Sequence, residues 1–273
     1  MEKFVVRIRN WYRHHVVPQN KFGLAVYQAG FSLLEISVAL VVLSVLSFGL
    51  VNVLKLNQDY EDFNNNRLQI TQTKQALLVF AQSNGYLPCP DSDGNGLEDR
   101  SSGVCDVQFG RLPFLMLGLP ETDVFGNSIF YAVNADAVTV NISDGAMSAS
   151  YFSDVSAPRF TLQTVPLGSD AGTGNYTVCD EAATECNAST PVGNHLVSSA
   201  IAVIMSFGAN GAQTWATNAS NSSIEVENAD DDQFFWQARR SQAYGAEFDD
   251  QLAWIGAYEL KFALLKTENG LAE

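Results

Sequence analysis

One carboxylate, Glu35, stands inside an otherwise apolar run, FSLLEISVALVVLSVLSFGLVNVL, that spans Phe31 to Leu54. An ionised acid in such a run is costly unless it lies at an interface or meets a positive partner. Two chemistries therefore fit Glu35. It is a helix-start acid at headgroup depth, favoured by the helix macrodipole, or it is a buried counter-ion for a positive charge supplied by processing or by another subunit. Cys89, Cys105, Cys179 and Cys186 all follow this run. Four cysteines allow three pairings, and the short loops 89–105 and 179–186 favour joining nearest neighbours. Disulfides outweigh zinc or thiol chemistry, because no C-x-x-C spacing occurs and His195 is the one histidine beyond the apolar run. An exported domain also meets an oxidising compartment.

A third candidate is the loop Asp91-Ser92-Asp93-Gly94-Asn95-Gly96-Leu97-Glu98-Asp99. Alternating oxygen side chains with glycine at the sixth position imitate the opening of a calcium loop, with Asp91, Asp93, Asn95, Glu98 and Asp99 as ligands. The twelfth position is Ser102 instead of a bidentate glutamate, and no flanking helix pair is evident. Asx- and Gly-rich turns of this composition also form without metal. The clusters Asp230-Asp231-Asp232 and Asp249-Asp250 read as solvated acids. For catalysis, His195 stands without a G-x-S-x-G nucleophile or a thiol expected to stay free, so the chain is not expected to be an enzyme.

These groups need elements to position them. Net charge is −15, but residues 1–30 carry Lys3, Arg7, Arg9, Arg13 and Lys21 against Glu2, about +4, which leaves about −19 for the rest. A basic end ahead of an apolar run predicts a cytoplasmic amino terminus by the positive-inside rule. As a helix, residues 31–54 would span about 36 Å, enough to cross a bilayer. An acidic body repels a phosphate backbone, so no direct nucleic-acid partner is expected. From residue 55 to 85 the helical spacing continues, with Leu56, Tyr60, Phe63, Ile70, Leu77 and Ala81 on one apolar face. Asn64-Asn65-Asn66 predicts a bend or weakening there, and Gly85, Pro88 and Pro90 end the helix. Beyond it, Ser128–Val133, Arg159–Val165 and Leu196–Phe207 read as strands, with Ala200–Phe207 as a central strand covered on both faces. Gly208-Ala209-Asn210-Gly211 reads as a turn. The class is α+β, a long helix with a mainly antiparallel sheet.

The residues Gly30-Phe31-Ser32-Leu33-Leu34-Glu35, followed by an uninterrupted apolar helix, resemble the prepilin cleavage and methylation motif of type IV pilins and type II secretion pseudopilins. The resemblance implies cleavage after Gly30 by a prepilin peptidase on the cytoplasmic side, and N-methylation of the new amino terminus, Phe31. It also implies that Glu35 pairs with the N-terminal amine of a neighbouring subunit. The domains would be a removed basic leader, 1–30; a transmembrane and assembly helix, 31–54; its amphipathic continuation, 55–85; and an exported globular domain, 86–273, whose sheet wraps the second half of the helix. Implied partners are the peptidase, other pilin or pseudopilin subunits and an inner-membrane assembly platform. The implied route runs from the bacterial inner membrane, with the body periplasmic, to a filament or the cell surface. LPCPDSDGNGLEDR, GRLPFLMLGLP and FDDQLAW resemble body sequences of minor pilin-like proteins. A structural subunit is thus the leading reading. A filament-displayed adhesin is the alternative, and a membrane-tethered periplasmic enzyme the third.

Overall fold

The computed structural model describes residues 32–101, 104–133, 176–217, 222–243 and 245–265. The expected strand Arg159–Val165 and the residues Gly30, Phe31 and Ser102 lie outside these. The chain divides into two compact units, Met1–Val53 and Leu54–Glu273.

Helix α1 runs from Leu33 to Asn84. Ser32 caps its start: the Ser32 hydroxyl oxygen accepts a hydrogen bond from Leu34 N at 3.2 Å, and its carbonyl accepts one from Ile36 N at 3.1 Å. At the far end Gly85 takes a left-handed φ of 82° and donates to the Ala81 carbonyl, which closes the last turn. The helix is continuous through Asn64–Asn66, so the expected weakening does not occur there. Tertiary hydrogen bonds override the poor local propensity. Asn66 is fully buried and donates from Nδ2 to Ser206 Oγ at 2.9 Å and to Gln251 Oε1 at 3.1 Å.

The second unit is built on a six-stranded sheet. Its strands are β3 (Phe109–Arg111), β4 (Phe130–Val133), β5 (Tyr176–Cys179), β6 (His195–Ser206), β7 (Phe234–Trp236) and β10 (Gln251–Gly256). The path is β3-β4-β6-β5-β7, with β10 also paired to β6. Every pairing is antiparallel except β5 with β7. Two small ribbons complete the β-structure among the described residues: β1 (Arg100–Ser101) with β2 (Val104–Cys105), and β8 (Ser241–Ala243) with β9 (Ala246–Phe248). The short helices are α2 (Phe114–Leu117), α3 (Gly211–Thr217), α4 (Ser223–Glu227) and α5 (Ala257–Leu264).

Strand β6 is the spine, and both of its faces are covered. Ile201, Ala202 and Ile204 join Ile70, Leu77, Leu78 and Ala81 of α1, together with Leu260 and Leu264 of α5. On the other face Ala200, Val203 and Met205 pack with Phe130, Tyr176, Phe207 and Phe235. Strict alternation would not place adjacent Ile201 and Ala202 on one side. The register explains it: Ile255 pairs with Ala202 but Gly256 pairs with Ala200, so Ile201 is an extra, bulged residue. The stripe on α1 begins later than its periodicity suggests. Leu56 and Tyr60 are exposed, and burial starts at Asn66 and continues through Ile70, Thr73, Leu77 and Ala81.

Asn66→Ala would leave two buried acceptors without their shared donor, and is expected to cost about 1–3 kcal/mol. Tyr60→Ala, on the exposed part of the same helix, should stay within about 0.5 kcal/mol of the parent. Urea titration of the detergent-solubilised chain distinguishes the two; equal losses would refute the anchoring role of Asn66.

Candidate functional site

Within the first unit every described residue is exposed, from Ser32 to Val53. Leu33, Leu34, Val41, Leu43, Leu46, Phe48 and Leu50 are each more than half exposed. This part of α1 is long and apolar enough to cross a membrane. Its polar side chains suit that medium. Ser37 and Ser44 return their hydroxyls to the carbonyls of Leu34 and Val41 at 2.7 and 2.8 Å, so neither needs water. Glu35 lies in the first turn, three residues after the Ser32 cap, which is capping-box spacing. This position agrees with the helix-start reading of Glu35. Among the described residues no cation pairs with Glu35. Gly30 and Phe31, the expected processing site, lie outside the described residues.

In the second unit the cysteines join as Cys89–Cys105 and Cys179–Cys186. The first bridge closes the loop that holds residues 91–99, and the second ties the end of β5 to the loop after it. Of the five candidate calcium ligands in the 91–99 loop, Asp91, Asp93 and Asp99 come together, with one oxygen from each within 4.8 Å of the others. Asn95 donates from Nδ2 to Asp93 Oδ2 at 3.0 Å, but the oxygens of Asn95 and Glu98 accept from other donors. Asn95 Oδ1 accepts from Leu97 N at 2.7 Å, and Glu98 Oε2 accepts from Cys89 N and from the Arg100 guanidinium at 2.9 and 2.7 Å. Asp91 is buried and spends both oxygens on the loop's own backbone, accepting from Gly94 N at 2.6 Å and Gly96 N at 2.8 Å. These two glycines have φ near +80°, and a Cβ on Gly94 would strike the Arg111 guanidinium. The loop is thus closed by Asx-type hydrogen bonds with an arginine laid over it.

Two further acidic groups form at the opposite end of the sequence. Glu227, Asp230 and Asp232 converge after α4, and Glu225, Asp249 and Asp250 converge between α4 and the start of β10. The sequence reading of Asp249-Asp250 as solvated acids fails for Asp250, which is only 4% exposed. Glu225 was not singled out at all; nothing local marks it, because its partners lie about two dozen residues away. Burial raises Glu227 to about 7, with the negative charges of Asp230, Asp232 and Glu185 adding to the effect. Burial likewise raises Asp232 to about 6, against the opposing hydrogen bond from Phe234 N. An open cleft of about 590 Å³ lies elsewhere in the unit, lined by Phe109, Arg111, Asn127 and Trp215 among others. His195 starts β6 and shares a hydrogen bond of 2.9 Å with Ser198.

Residues 26–51 match the family model of the prokaryotic N-terminal methylation motif. The match covers the N-terminal segment alone. With the long apolar helix behind it, it supports a prepilin-type chain of the pilin and pseudopilin family. No curated protein and no solved structure matches the chain.

The raised acids fix a pH dependence. A carboxyl whose pKa is higher in the folded chain binds more protons folded than unfolded, so stability rises as pH falls through the folded value. The charged groups that act on Asp232 are Asp230 and Glu227, with Glu185 acting on Glu227, and all are acids. With chelator present, the thermal midpoint is expected to climb as pH drops from about 7.5 towards 5. Asp232→Asn keeps the acceptor for Phe234 N and should flatten that climb; an unchanged slope in this variant would contradict the assignment.

Proposed function

We propose that this chain is a minor pilin or pseudopilin, a filament subunit processed after Gly30 by a prepilin peptidase and N-methylated at Phe31. The observation that carries this reading is the first unit. A capped apolar helix, bare along its whole described length, bears one acid and lies within a prepilin-type methylation motif. Such a surface needs lipid before assembly and other helices after it. On this reading the membrane holds the subunit with residues 1–30 on the cytoplasmic side and the body in the periplasm. An inner-membrane platform then passes it into a filament.

Processing supplies the missing half of an ion pair. Cleavage of the Gly30–Phe31 amide by water leaves a free amine on Phe31, close in sequence to Glu35. Within one subunit the helical geometry sends Glu35 along the axis, while a neighbouring subunit can offer its amine from the side. In low dielectric each charge relieves the desolvation cost of the other. The roughly five apolar turns that follow, residues 36–54, supply shape and area, while this pair supplies axial register. The prepilin-type motif belongs to structural subunits, so the body is read as cap or cargo and not as catalyst. A second reading, in which the second unit displays a binding site, draws on the aromatic and arginine-lined cleft at Phe109, Arg111 and Trp215.

Intact-mass measurement of membrane-purified protein is expected to show loss of residues 1–30 and one added methyl group. Recovery of the full-length mass from cells with an active peptidase would sink the proposal. Glu35→Ala is expected to be cleaved normally yet to drop out of filaments. Removing one partner of a desolvated pair costs about 3–5 kcal/mol, so incorporation should fall at least about a hundredfold. Normal incorporation would remove the charge-pairing role. For the cleft, filaments carrying Arg111→Ala should form in normal number but lose adhesion if display is the function.

A further inference from the structure

The open cleft of about 590 Å³ in the second unit combines two aromatic rings, Phe109 and Trp215, with one basic side chain, Arg111. Both rings belong to the face of the sheet opposite α1, where they pack on Phe130, Tyr176 and Phe207. Those buried rings hold them in place. Trp215 stacks on Phe207 with centroids 5.9 Å apart and meets Phe130 edge-on at 5.5 Å, while Phe109 stacks on Phe130 at 6.2 Å. Trp215 and Phe109 are themselves half-buried, so each keeps ring surface that the core does not use.

Polar groups flank the rings. Arg111 is exposed, and among the described residues no acid pairs with its guanidinium. Asp91, the acid in the wall, is buried and gives both oxygens to the amides of Gly94 and Gly96, so the charge on offer in the cleft is that of the arginine. Asn127 donates from Nδ2 to the Gly208 carbonyl at 2.7 Å, which leaves its amide oxygen as an acceptor, and Ser128 adds a hydroxyl. A Cβ on Gly211 would come within 3.0 Å of Asn127 Nδ2, so glycine there leaves room for that amide. Two fixed ring surfaces, a donor fork, an acceptor and a hydroxyl thus share one open cleft.

We propose that this cleft binds a sugar ring that carries a carboxylate. The proposal rests on the reading in which the second unit displays a binding site, and it names the ligand class for that site. A pyranose presents a face of weakly positive C–H bonds, which suits the negative face of an aromatic ring. Its edge presents hydroxyls, which need donors and acceptors together. The guanidinium fork meets a carboxylate through two parallel hydrogen bonds. A wholly apolar ligand would need an enclosed pocket, and this cleft is open. A nucleic-acid strand also stacks on aromatic rings and pairs with arginine. Its repeated phosphates, however, meet a body that carries about −19. One carboxylate set on the one basic residue of the lining avoids most of that repulsion.

The test titrates the full chain in detergent with sialyllactose and with digalacturonate, read by ligand-observed NMR and calorimetry. Lactose serves as the uncharged counterpart and an oligothymidylate as the polyanion. At least one acidic sugar is expected to bind at least about tenfold more tightly than lactose, the margin of hydrogen bonds to a charged group. Arg111→Gln should lose that margin while the response to lactose and the thermal midpoint stay as in the parent. Arg111→Lys keeps the charge without the fork and should recover part of the margin. The proposal is overturned if neither acidic sugar binds, if lactose binds as tightly, or if the oligothymidylate binds through Arg111 in their place. It is overturned too if Arg111→Gln lowers the midpoint and weakens all ligands alike, since the arginine would then serve to hold the Gly94 loop. Filaments that lose adhesion on Arg111→Ala, from a chain that binds no sugar, would refute the ligand class and leave the display reading standing. Unchanged adhesion of that variant, with the parent chain binding an acidic sugar, would refute display and leave the sugar site.

Discussion

The packing of the second half of α1 on the β4–β6–β10 face sets most of the structure. Ile70, Leu77 and Ala81 supply the apolar contact, and Asn66 fixes where along the helix it begins. Apolar contact alone is tolerant of sliding by a turn, because leucines and alanines recur along the stripe. A buried amide is not tolerant: displaced by one turn, Asn66 would lose both acceptors and bury its donor unpaired. Ser206 extends the constraint, since its hydroxyl donates to Asp123 at 2.6 Å while its oxygen receives Asn66. A chain of polar groups thus joins α1, the end of β6, the start of β10 and the 119–127 loop.

Much of the architecture was legible because it rests on local or one-dimensional signals. The ends of α1 are written in Ser32 and in Gly85 with the prolines after it. The apolar stretch Ala200–Phe207 reads directly as a strand buried on both faces, and all of its residues are buried. What the sequence concealed has a common cause. Asn66 sits in a triplet of poor helix formers, and only its tertiary acceptors turn it from weakness into anchor. Leu56 and Tyr60 keep the helical period, but a period does not say where the partner surface stops. The parallel pairing of β5 with β7 and the bulge at Ile201 depend on strands far apart in sequence.

The acids divide along the same line. In the 91–99 loop the oxygens are close in sequence, so the pattern was visible, and the same closeness lets them satisfy backbone amides a few residues away. Glu225, Asp249 and Asp250 are brought together only by the fold, so neither the cluster nor the burial of Asp250 could be read from composition. Convergence of that kind is the more demanding arrangement. A local turn can form and satisfy itself at little cost, whereas distant carboxylates must be held against repulsion by the rest of the core.

Glu35 and the Glu225 group therefore pose one physical problem at two places. Asp250 is 4% exposed, and Glu35 would likewise carry its charge away from water once its apolar helix lies in lipid. Ser32 supplies the observed cap, and glutamine at position 35 would keep the capping-box spacing without the charge. Where a neutral residue would serve the local geometry equally, the charge points to a positive partner from outside the chain as described. For Glu35, in the filament subunit proposed above, that partner would be the amine released by processing and offered by a neighbour. The filament subunit proposed here would then be completed after synthesis, by proteolysis ahead of its helix.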